Sequence, residues 1–387
     1  MIKIAFTADA HLGQEQYGLP FRQADYIQAL FQVAEQAKGC DVMVFGGDMF
    51  HVPRPPSGAV QALRQVVQTF VDSNSVETSR GVRAPWVLSI DGNHDNTDGD
   101  WMSLCGAIPL DWKADVDVDG HPSVFHVRMA GEEDVVRCRI VGVNGGSNRE
   151  ILRKLENLGK DPKAKADILV LHLPLSEASG FPTPVSAQQI AGLVKPCGVK
   201  LVLLGDIHDG KEVVAQGIRF VYSGSPEITA ANEVPEKSFL VVSFDIDTGA
   251  FDVQRVPIRI RPQKVVAVEK EEDIEKLASM LDRETLFHVQ YDGSIPRAKD
   301  RLLCLLKAQN AKFRLLTIPK FDNKPRTFTN RTGFRATFAE VVEEDLKGKP
   351  EAKEMLLEMN GLPPELAMEP PKKCLRKHGI RSTVLPR

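Results

Sequence analysis

The sequence predicts an α/β protein in which a large α/β sandwich domain is followed by a smaller unit and a C-terminal segment. Two observations carry this prediction. Over the first two-thirds of the chain, apolar runs that end in turn residues alternate with segments of helical periodicity. Such runs are typical of strands buried on both faces of a helix-covered sheet. A length of 387 residues is also sufficient for two or three domains and a sizeable core.

The elements of the first domain are predicted in chain order. "IKIAFTA" is a β-rich run, and "FRQADYIQALFQVAEQA" after it has apolar residues at helical spacing. "DVMVFGG" predicts a second strand and "SGAVQALRQVVQTFVD" a second amphipathic helix. Further strands are predicted by "PWVLSI", "VVRCRIVGV", "ADILVLHLP", "VKLVLLGD" and "IRFVYSGS". "SFLVVSFDIDTGAFDVQRVPI" predicts a hairpin that turns at residues 247–249.

Beyond residue 260 the pattern predicts a small β-α-β-α-β unit. Its expected elements are strand 264–268, helix 272–282, strand 285–291, helix 296–310 and strand 312–318. A polar linker, "PKFDNKPRTFTNRTG", then precedes two short predicted helices, "FRATFAEVVEEDL" and "EAKEMLLEMNG".

These changes along the chain predict three domains or segments. We place the main catalytic domain at 1–260 and a cap domain at 261–320. Residues 321–387 form a linker, the two helices and a basic tail.

Composition narrows the class of protein. The net charge is −3, so overall charge does not indicate a nucleic-acid partner, although a local basic patch could bind one. The six cysteines include no Cys-x-x-Cys pair, which favours reduced thiols over a disulfide framework or a zinc knuckle. The first residues do not resemble a signal peptide, and no apolar run is long enough to cross a membrane. We therefore expect a cytoplasmic protein without a membrane partner.

Side chains of the kind that bind metals follow five predicted strands. In chain order they are Asp9 and His11; Asp48 and His51; Asn93, His94 and Asp95; His172; and Asp206 and His208. Any one of them could be a turn former or a hydrogen-bonded core histidine. Five of the nine histidines lie in these motifs, however, and coincidence at every strand end is a poor explanation. Because the carboxyl ends of strands carry the ligand sites of α/β sheets, we expect one shared site.

The types of ligand indicate the class of metal. Carboxylate, imidazole and amide oxygen without thiolate suit Mn²⁺, Mg²⁺, Fe²⁺ or Zn²⁺, and not a structural cysteine zinc site. There are too many ligands for one ion. Two ions about 3.5–4 Å apart would use them all, an arrangement that serves phosphoester hydrolysis.

The motif series resembles that of the calcineurin-like metallophosphoesterases. The shared motifs are Asp-x-His, Gly-Gly-Asp, Gly-Asn-His-Asp, a histidine at a strand end and a final Gly-x-x-His. Within this superfamily the chain resembles the SbcD-type DNA double-strand-break repair nucleases, through "GGDMFH", "FRQAD" and "YSGSPE". The resemblance implies a four-layer α-β-β-α metallophosphoesterase sandwich with a small cap domain and C-terminal helices. It is strong over the first 260 residues and rests on layout beyond them.

The resemblance also implies a role for each residue of the site. One metal would be held by Asp9, His11, Asp48 and His208. The other would be held by Asp48, Asn93, His172 and residue 206, with Asp48 as the bridge. His94 would act on the scissile phosphate and protonate the leaving oxygen, His51 would steady the phosphate, and Asp95 would orient His94 or the turn.

Position 206 departs from the family pattern, because this chain has Gly-Asp-Ile-His where many relatives have Gly-His-x-His. Our hypothesis is that Asp206 binds the second metal and that the enzyme is active with Mn²⁺, with Mg²⁺ as the other candidate. A third carboxylate makes the centre less positive and favours a hard ion over Zn²⁺. The alternative is that Asp206 is a turn residue beside a weak second site.

The resemblance implies DNA as substrate, with exonuclease and endonuclease activity in DNA repair or recombination. It further implies a homodimer and an SbcC-type, SMC-like ATPase partner. Two alternatives remain: a stand-alone phosphatase or phosphodiesterase acting on a smaller substrate, and a non-catalytic scaffold with the same fold. The ligand series, which is intact or conservatively changed, and the presence of His94 argue against the scaffold, and the C-terminal helices argue against the small-substrate enzyme.

Candidate contacts with these partners lie mostly in the C-terminal third. Arg54, Arg326 and Arg331 are candidates for binding the DNA backbone, although ordinary solvated surface charge explains each equally well. Phe338, Val341, Val342 and Leu346 share one helical face that could bind the ATPase or pack against the cap.

Overall fold

The computed structural model describes residues 1–78, 81–95, 100–112, 125–128, 136–180, 183–230, 233–317, 328–329 and 335–336. The chain divides into two compact units, Met1–Thr317 and Ile318–Arg387. Within the second unit, two short strands pair in antiparallel fashion. The predicted C-terminal helices lie outside the described residues, and the three predicted domain boundaries stay a prediction.

The strands, in chain order, are β1 (Ile2–Thr7), β2 (Val42–Gly46), β3 (Val76–Thr78), β4 (Gly81–Arg83), β5 (Trp86–Ile90), β6 (Ile108–Pro109), β7 (Phe125–Arg128), β8 (Val136–Gly142), β9 (Ile168–His172), β10 (Leu201–Gly205), β11 (Glu212–Ala215), β12 (Ile218–Tyr222), β13 (Lys237–Phe244), β14 (Phe251–Ile258), β15 (Gln263–Val268), β16 (Leu286–Tyr291), β17 (Lys312–Thr317), β18 (Phe328–Thr329) and β19 (Arg335–Ala336). The helices are α1 (Phe21–Gln36), α2 (Ser57–Asn74), α3 (Trp101–Leu104), α4 (Asn148–Lys160), α5 (Ala187–Val194), α6 (Glu271–Met280) and α7 (Ala298–Ala308).

Two mixed sheets form the centre of the first unit. Their strand orders in the described residues are β14-β13-β1-β2-β5-β6 and β11-β12-β10-β9-β8-β7. The two sheets face each other across one buried cluster, to which β1 contributes Ile4 and Phe6 and β9 contributes Ile168 and Val170. Helices α1 and α2 cover the outer face of the first sheet, and α4 and α5 cover that of the second. The four predicted layers are therefore confirmed.

Side chains alternate along each strand, so each sheet has two apolar faces and both are buried. In β1, Ile4 and Phe6 point to the cluster between the sheets, whereas Ala5 joins the cluster under α1 and α2. Both faces exclude water, so the strands are nearly continuous apolar runs, as the sequence predicted. Strands β1, β2 and β5 run parallel, as do β9 and β10. Their carboxyl ends consequently lie at common sheet edges.

The β-α-β-α-β unit predicted after residue 260 is present. Strands β15, β16 and β17 form a parallel three-stranded sheet, and α6 and α7 bury Leu277 and Leu302 against it. The second helix is shorter than predicted because Arg297 and Asn310, with φ of 53° and 52°, lie in the left-handed region at its two ends. The predicted hairpin at residues 247–249 is also present, between β13 and β14.

A buried ion-pair network ties this smaller sheet to α1. The guanidinium of Arg22 contacts Asp25 at 2.7 Å and Glu227 at 3.0 Å. Arg261, between β14 and β15, donates two 2.7 Å hydrogen bonds to the same Asp25 carboxylate. Because each charge has a partner, the network is compatible with a dry environment. It anchors the chain where it passes from the large sandwich to the small sheet.

Candidate metal centre

Residues from five strand ends converge at one edge of the two sheets. Asp9 and His11 follow β1, Asp48 follows β2, Asn93 follows β5, His172 ends β9, and Asp206 and His208 follow β10. Contacts between these residues link all of them into one cluster. The described distances are 3.2 Å between the His11 and His208 Nε2 atoms, 3.9 Å from His208 to Asp9, 3.3 Å from His172 to Asp48, 3.7 Å from His172 to Asp9 and to Asp206, and 2.8 Å from Asn93 to Asp206.

The backbone at this edge is strained. Asp9, His11, Asp48 and Asp206 have φ angles of 57°, 45°, 52° and 84°, and they are half of the eight residues other than glycine with positive φ in the described chain. This left-handed conformation costs about 1–3 kcal/mol where a side chain is bulky. Backbone hydrogen bonds from Asp9 to Gly47 and from His11 to Asp48, each 3.0 Å, hold the turns in place. Strain concentrated at one cluster indicates a functional site.

Close approach of the backbone requires glycine at two positions. A Cβ atom on Gly92 would lie 2.1 Å from Oδ1 of Asp48, and one on Gly47 would lie 2.6 Å from Nδ1 of His172. Only a residue without a side chain lets these ligands pack against the turns. The glycines at the strand ends therefore allow Asp48 and His172 to approach the backbone closely.

The first candidate cation site lies between Asp9, His11 and His208. Their ligand atoms all fall within 4.8 Å of one another. The Nδ1 of His208 is 2.9 Å from the Glu233 carboxylate, which can only accept, so Nδ1 carries the proton. In its neutral form the ring then directs the lone pair of Nε2 toward His11 and Asp9. Two histidine nitrogens 3.2 Å apart beside a buried carboxylate are a donor set that suits a divalent cation.

The second candidate cation site lies between Asp9, Asp48 and His172, which form another group within 4.8 Å. The Nδ1 of His172 donates to the carbonyl of Gly46 at 2.8 Å, so its Nε2 is unprotonated in the neutral ring. This buried Nε2 makes no hydrogen bond, yet it faces three carboxylates, and a cation there would satisfy all four groups. Asn93 and Asp206 border the same site and are joined by a 2.8 Å hydrogen bond.

The electrostatics of the centre suit a cation. Burial raises the pKa of Asp9 to about 6, a cost that a nearby positive charge would remove. Burial lowers the pKa of His11 to about 3, which keeps its ring neutral and able to bind a metal. Burial would also raise the pKa of Asp48, but the close contact with His172 and the backbone hydrogen bond from His94 outweigh burial and lower it.

His94 and His51 lie beside the centre and form a pair. Nδ1 of His94 donates to the backbone carbonyl of His51 at 2.7 Å, and the two rings stack with centroids 5.5 Å apart. The His94 side chain is 43% exposed, and its Nε2 lies 3.9 Å from Asp48. A substrate phosphate at the metal centre could therefore reach Nε2 from solvent. The His51 carbonyl holds the ring through Nδ1, so Nε2 is the ring nitrogen on the side of Asp48.

Asp95 supports the turn and not the His94 ring. Its carboxylate accepts hydrogen bonds from the backbone nitrogens of Met49, Phe50 and Gly92 at 3.0, 2.9 and 3.3 Å. These bonds join the loop after β2 to the loop after β5. The position of Asp48 relative to Asn93 and His94 depends on them.

Sequence reasoning missed the residues that contact His208 from behind. Glu233 accepts from its Nδ1, and Lys237, at the start of β13, lies 2.6 Å from Glu233. Burial would raise the pKa of Glu233, but the His208 hydrogen bond and the Lys237 charge outweigh it and hold the pKa at about 2. Both residues follow the "YSGSPE" motif, which was the available signal.

Of the remaining predicted site residues, the structure describes only Arg54. Arg54 is exposed on the loop before α2. Arg326, Arg331, Phe338, Val341, Val342 and Leu346 lie outside the described residues. Among the described residues, no helix is long and apolar enough to span a membrane.

Two facing sheets with carboxylate, imidazole and amide side chains at the strand ends define a class of metal-binding hydrolases. Within that class, the chain belongs to the calcineurin-like phosphoesterase family, whose profile matches residues 2–210. The predicted resemblance to this family is thereby confirmed.

Comparison with curated proteins indicates which kind of protein within the family this chain is similar to. Over 280 residues the chain is 28% identical to the DNA double-strand break repair protein Mre11 of Haloferax volcanii, covering 70% of this chain and 55% of that one. The Mre11 protein of Sulfolobus acidocaldarius is 22% identical, and that of Sulfurisphaera tokodaii is 25% identical. The alignments cover 79% of both chains in the first case, and 76% of this chain and 75% of the relative in the second. The chain thus spans about half the length of the Haloferax relative.

Proposed function

We propose that this protein is a metal-dependent DNA nuclease that hydrolyses phosphodiester bonds at DNA ends during repair or recombination. The observation that carries the proposal is the convergence of the candidate ligand series beside the His94 side chain, which is 43% exposed. The choice of DNA over a smaller phosphoester is supported by the relatives, which are named as DNA double-strand break repair proteins.

In this proposal the strand-end residues hold two divalent ions, with Mn²⁺ preferred and Mg²⁺ possible. Asp9, His11 and His208 would hold the first ion, and Asp48 would serve both ions, as the family resemblance implies. Asn93, His172 and Asp206 complete the second site. Bound ions of this kind supply an activated water and neutralise charge on the phosphoryl oxygens.

The histidines next to the metals act on the substrate. His94 directs Nε2 at the scissile phosphate and donates a proton to the leaving oxygen, since its Nδ1 is held by the His51 carbonyl. The His51 ring stacks against His94 and steadies both the ring and the phosphate. Arg54, exposed near the same loop, is a candidate contact for the DNA backbone.

The proposal also covers the binding partners of the protein and its location in the cell. We infer that the protein works in the cytoplasm as a homodimer with an SbcC-type, SMC-like ATPase. The helical face around Phe338, Val341, Val342 and Leu346 is the candidate contact with this ATPase. Arg326 and Arg331 of the preceding linker are further candidates for binding DNA.

A cleavage assay tests the proposed function. Purified protein is incubated with end-labelled duplex or single-stranded DNA, with Mn²⁺ or with EDTA, alongside the variant His94→Gln. We expect Mn²⁺-dependent cleavage that falls about 10²–10⁴-fold in the variant, the usual contribution of a general acid. Turnover of a simple phosphodiester without any cleavage of DNA would instead favour a phosphodiesterase acting on a smaller substrate.

A further inference from the structure

His208 is held on its outer side by a buried network of charges. Its Nδ1 lies 2.9 Å from Oε1 of Glu233 and 2.6 Å from the hydroxyl of Thr229. The hydroxyl of Thr229 in turn donates to the same carboxylate. Both groups can accept the Nδ1 proton, and neither competes with Nε2. The network therefore specifies one tautomer of the ring.

The Glu233 carboxylate is itself fully bonded. It accepts from the backbone nitrogens of Thr229 and Ala230 at 3.1 and 2.9 Å, and from the ammonium of Lys237 at 2.6 Å. The side chain of Glu233 is 9% exposed and that of Lys237 is 1% exposed. A charge pair this deeply buried must be compensated by close partners, and here each charge compensates the other.

The Glu233–Lys237 ion pair connects the two sheets at the metal centre. His208 follows β10 of the second sheet, whereas Lys237 opens β13, which pairs with β1 of the first sheet. The ammonium of Lys237 also donates to the backbone carbonyl of His208 at 3.1 Å and to the hydroxyl of Ser225 at 3.0 Å. Both the ring and the backbone of His208 are therefore fixed by residues outside the ligand set.

A carboxylate bonded to the far nitrogen of a metal-binding histidine has two effects. It orients the ring, and it makes the ligating nitrogen more basic. Lys237 balances the negative charge of Glu233, so the effect comes from a pair that is neutral overall. Changing the second shell of a metal site typically lowers metal affinity about 10–100-fold.

We propose that Glu233 is a positioning residue that, with Lys237, fixes the tautomer and the orientation of the His208 ring and sets the cation affinity of the site formed by Asp9, His11 and His208. The inference rests on the two-metal centre of the proposed function. It adds a residue pair that sets the cation affinity of one of the two sites and not of the other. Only the first site contacts the network, so the second keeps its affinity when the network is changed.

Calorimetric titration with Mn²⁺ tests the inference. The wild type is compared with Glu233→Ala, with Glu233→Gln and with the control Glu227→Gln, a buried carboxylate that pairs with Arg22 and touches no candidate ligand. We expect two Mn²⁺ sites in the wild type and in the control. Glu233→Ala should weaken one site about 10–100-fold. Glu233→Gln should recover part of this loss, because the amide oxygen still accepts from Nδ1.

A spectroscopic readout separates positioning from loss of structure. Long-range ¹H–¹⁵N NMR of the metal-free protein should show His208 with its proton on Nδ1 in the wild type and in Glu233→Gln. It should show a mixture of tautomers in Glu233→Ala. If Glu233→Ala does not fold, as judged by circular dichroism, Glu233→Gln carries the calorimetric comparison, with a smaller weakening of the same site expected and unchanged affinities contradicting the inference.

The outcomes distinguish the inference from the proposed function. Two unchanged Mn²⁺ affinities in a folded Glu233→Ala variant would overturn the role of Glu233 and leave the two-metal centre in place. A wild type that binds fewer than two Mn²⁺ ions would overturn the two-metal centre, and the inference with it. Equal weakening of both sites would show that Glu233 supports the fold of the whole centre and would also overturn its selective role.

Discussion

At the scale of single residues, Asp206 is where the chain departs from the family pattern. The structure places its carboxylate 3.7 Å from Nε2 of His172 and lets it accept from Asn93. Its backbone nitrogen donates to both oxygens of Asp9, at 3.0 and 3.1 Å. The side chain thus borders the second candidate site, while the main chain fixes a ligand of the first. Substituting the side chain alone separates these contributions.

We predict that Asp206→Ala binds one Mn²⁺ ion with unchanged affinity and the other at least about 10-fold more weakly. The reason is that the side chain is lost while the main-chain contact with Asp9 remains. Mn²⁺ titration followed by electron paramagnetic resonance measures both occupancies. Unchanged occupancy at both sites would mean that Asp206 is only a turn residue.

At the scale of elements, the start of α1 joins the large sandwich to the small sheet. Arg22 is fully buried and contacts Asp25 of its own helix and Glu227 of the loop after β12. Arg261, which leads into β15, shares Asp25. Removing Arg22 would therefore leave Glu227 as an uncompensated buried charge, whereas Asp25 would keep one partner.

We predict that Arg22→Ala lowers the free energy of unfolding by about 3–5 kcal/mol, the usual cost of breaking a buried ion pair. Urea denaturation measures the change. The control is Lys160→Ala, which removes an ion pair with Glu156 whose side chains are 70% and 51% exposed. Surface substitutions of this kind usually change stability by less than about 0.5 kcal/mol. Equal effects of the two substitutions would contradict the role of the network.

At the scale of the whole molecule, the sequence was sufficient to predict the layers and to locate the strand-end side chains that lie together in the structure. Strands buried on both faces leave continuous apolar runs, and candidate ligands such as Asp48 and Asp206 follow them within two residues, so both features can be read locally. The contact between Glu233 and His208 could not be read in this way. It joins loops on two sheets across 25 positions, with no periodicity to reveal it. The short pairing of β3 with β4 likewise lacks a long apolar run.

The central claim is that five strand ends form one centre for two metal ions. The most direct measurement is an anomalous difference map from crystals grown with Mn²⁺. We predict two peaks about 3.5–4 Å apart, the usual separation in two-metal hydrolases. One peak should lie beside His11 and His208 and the other beside Asn93 and His172, with Asp48 between them. A single peak, or one held only by His11, His51 and His94, whose ring nitrogens also lie within 4.8 Å of one another, would contradict the claim.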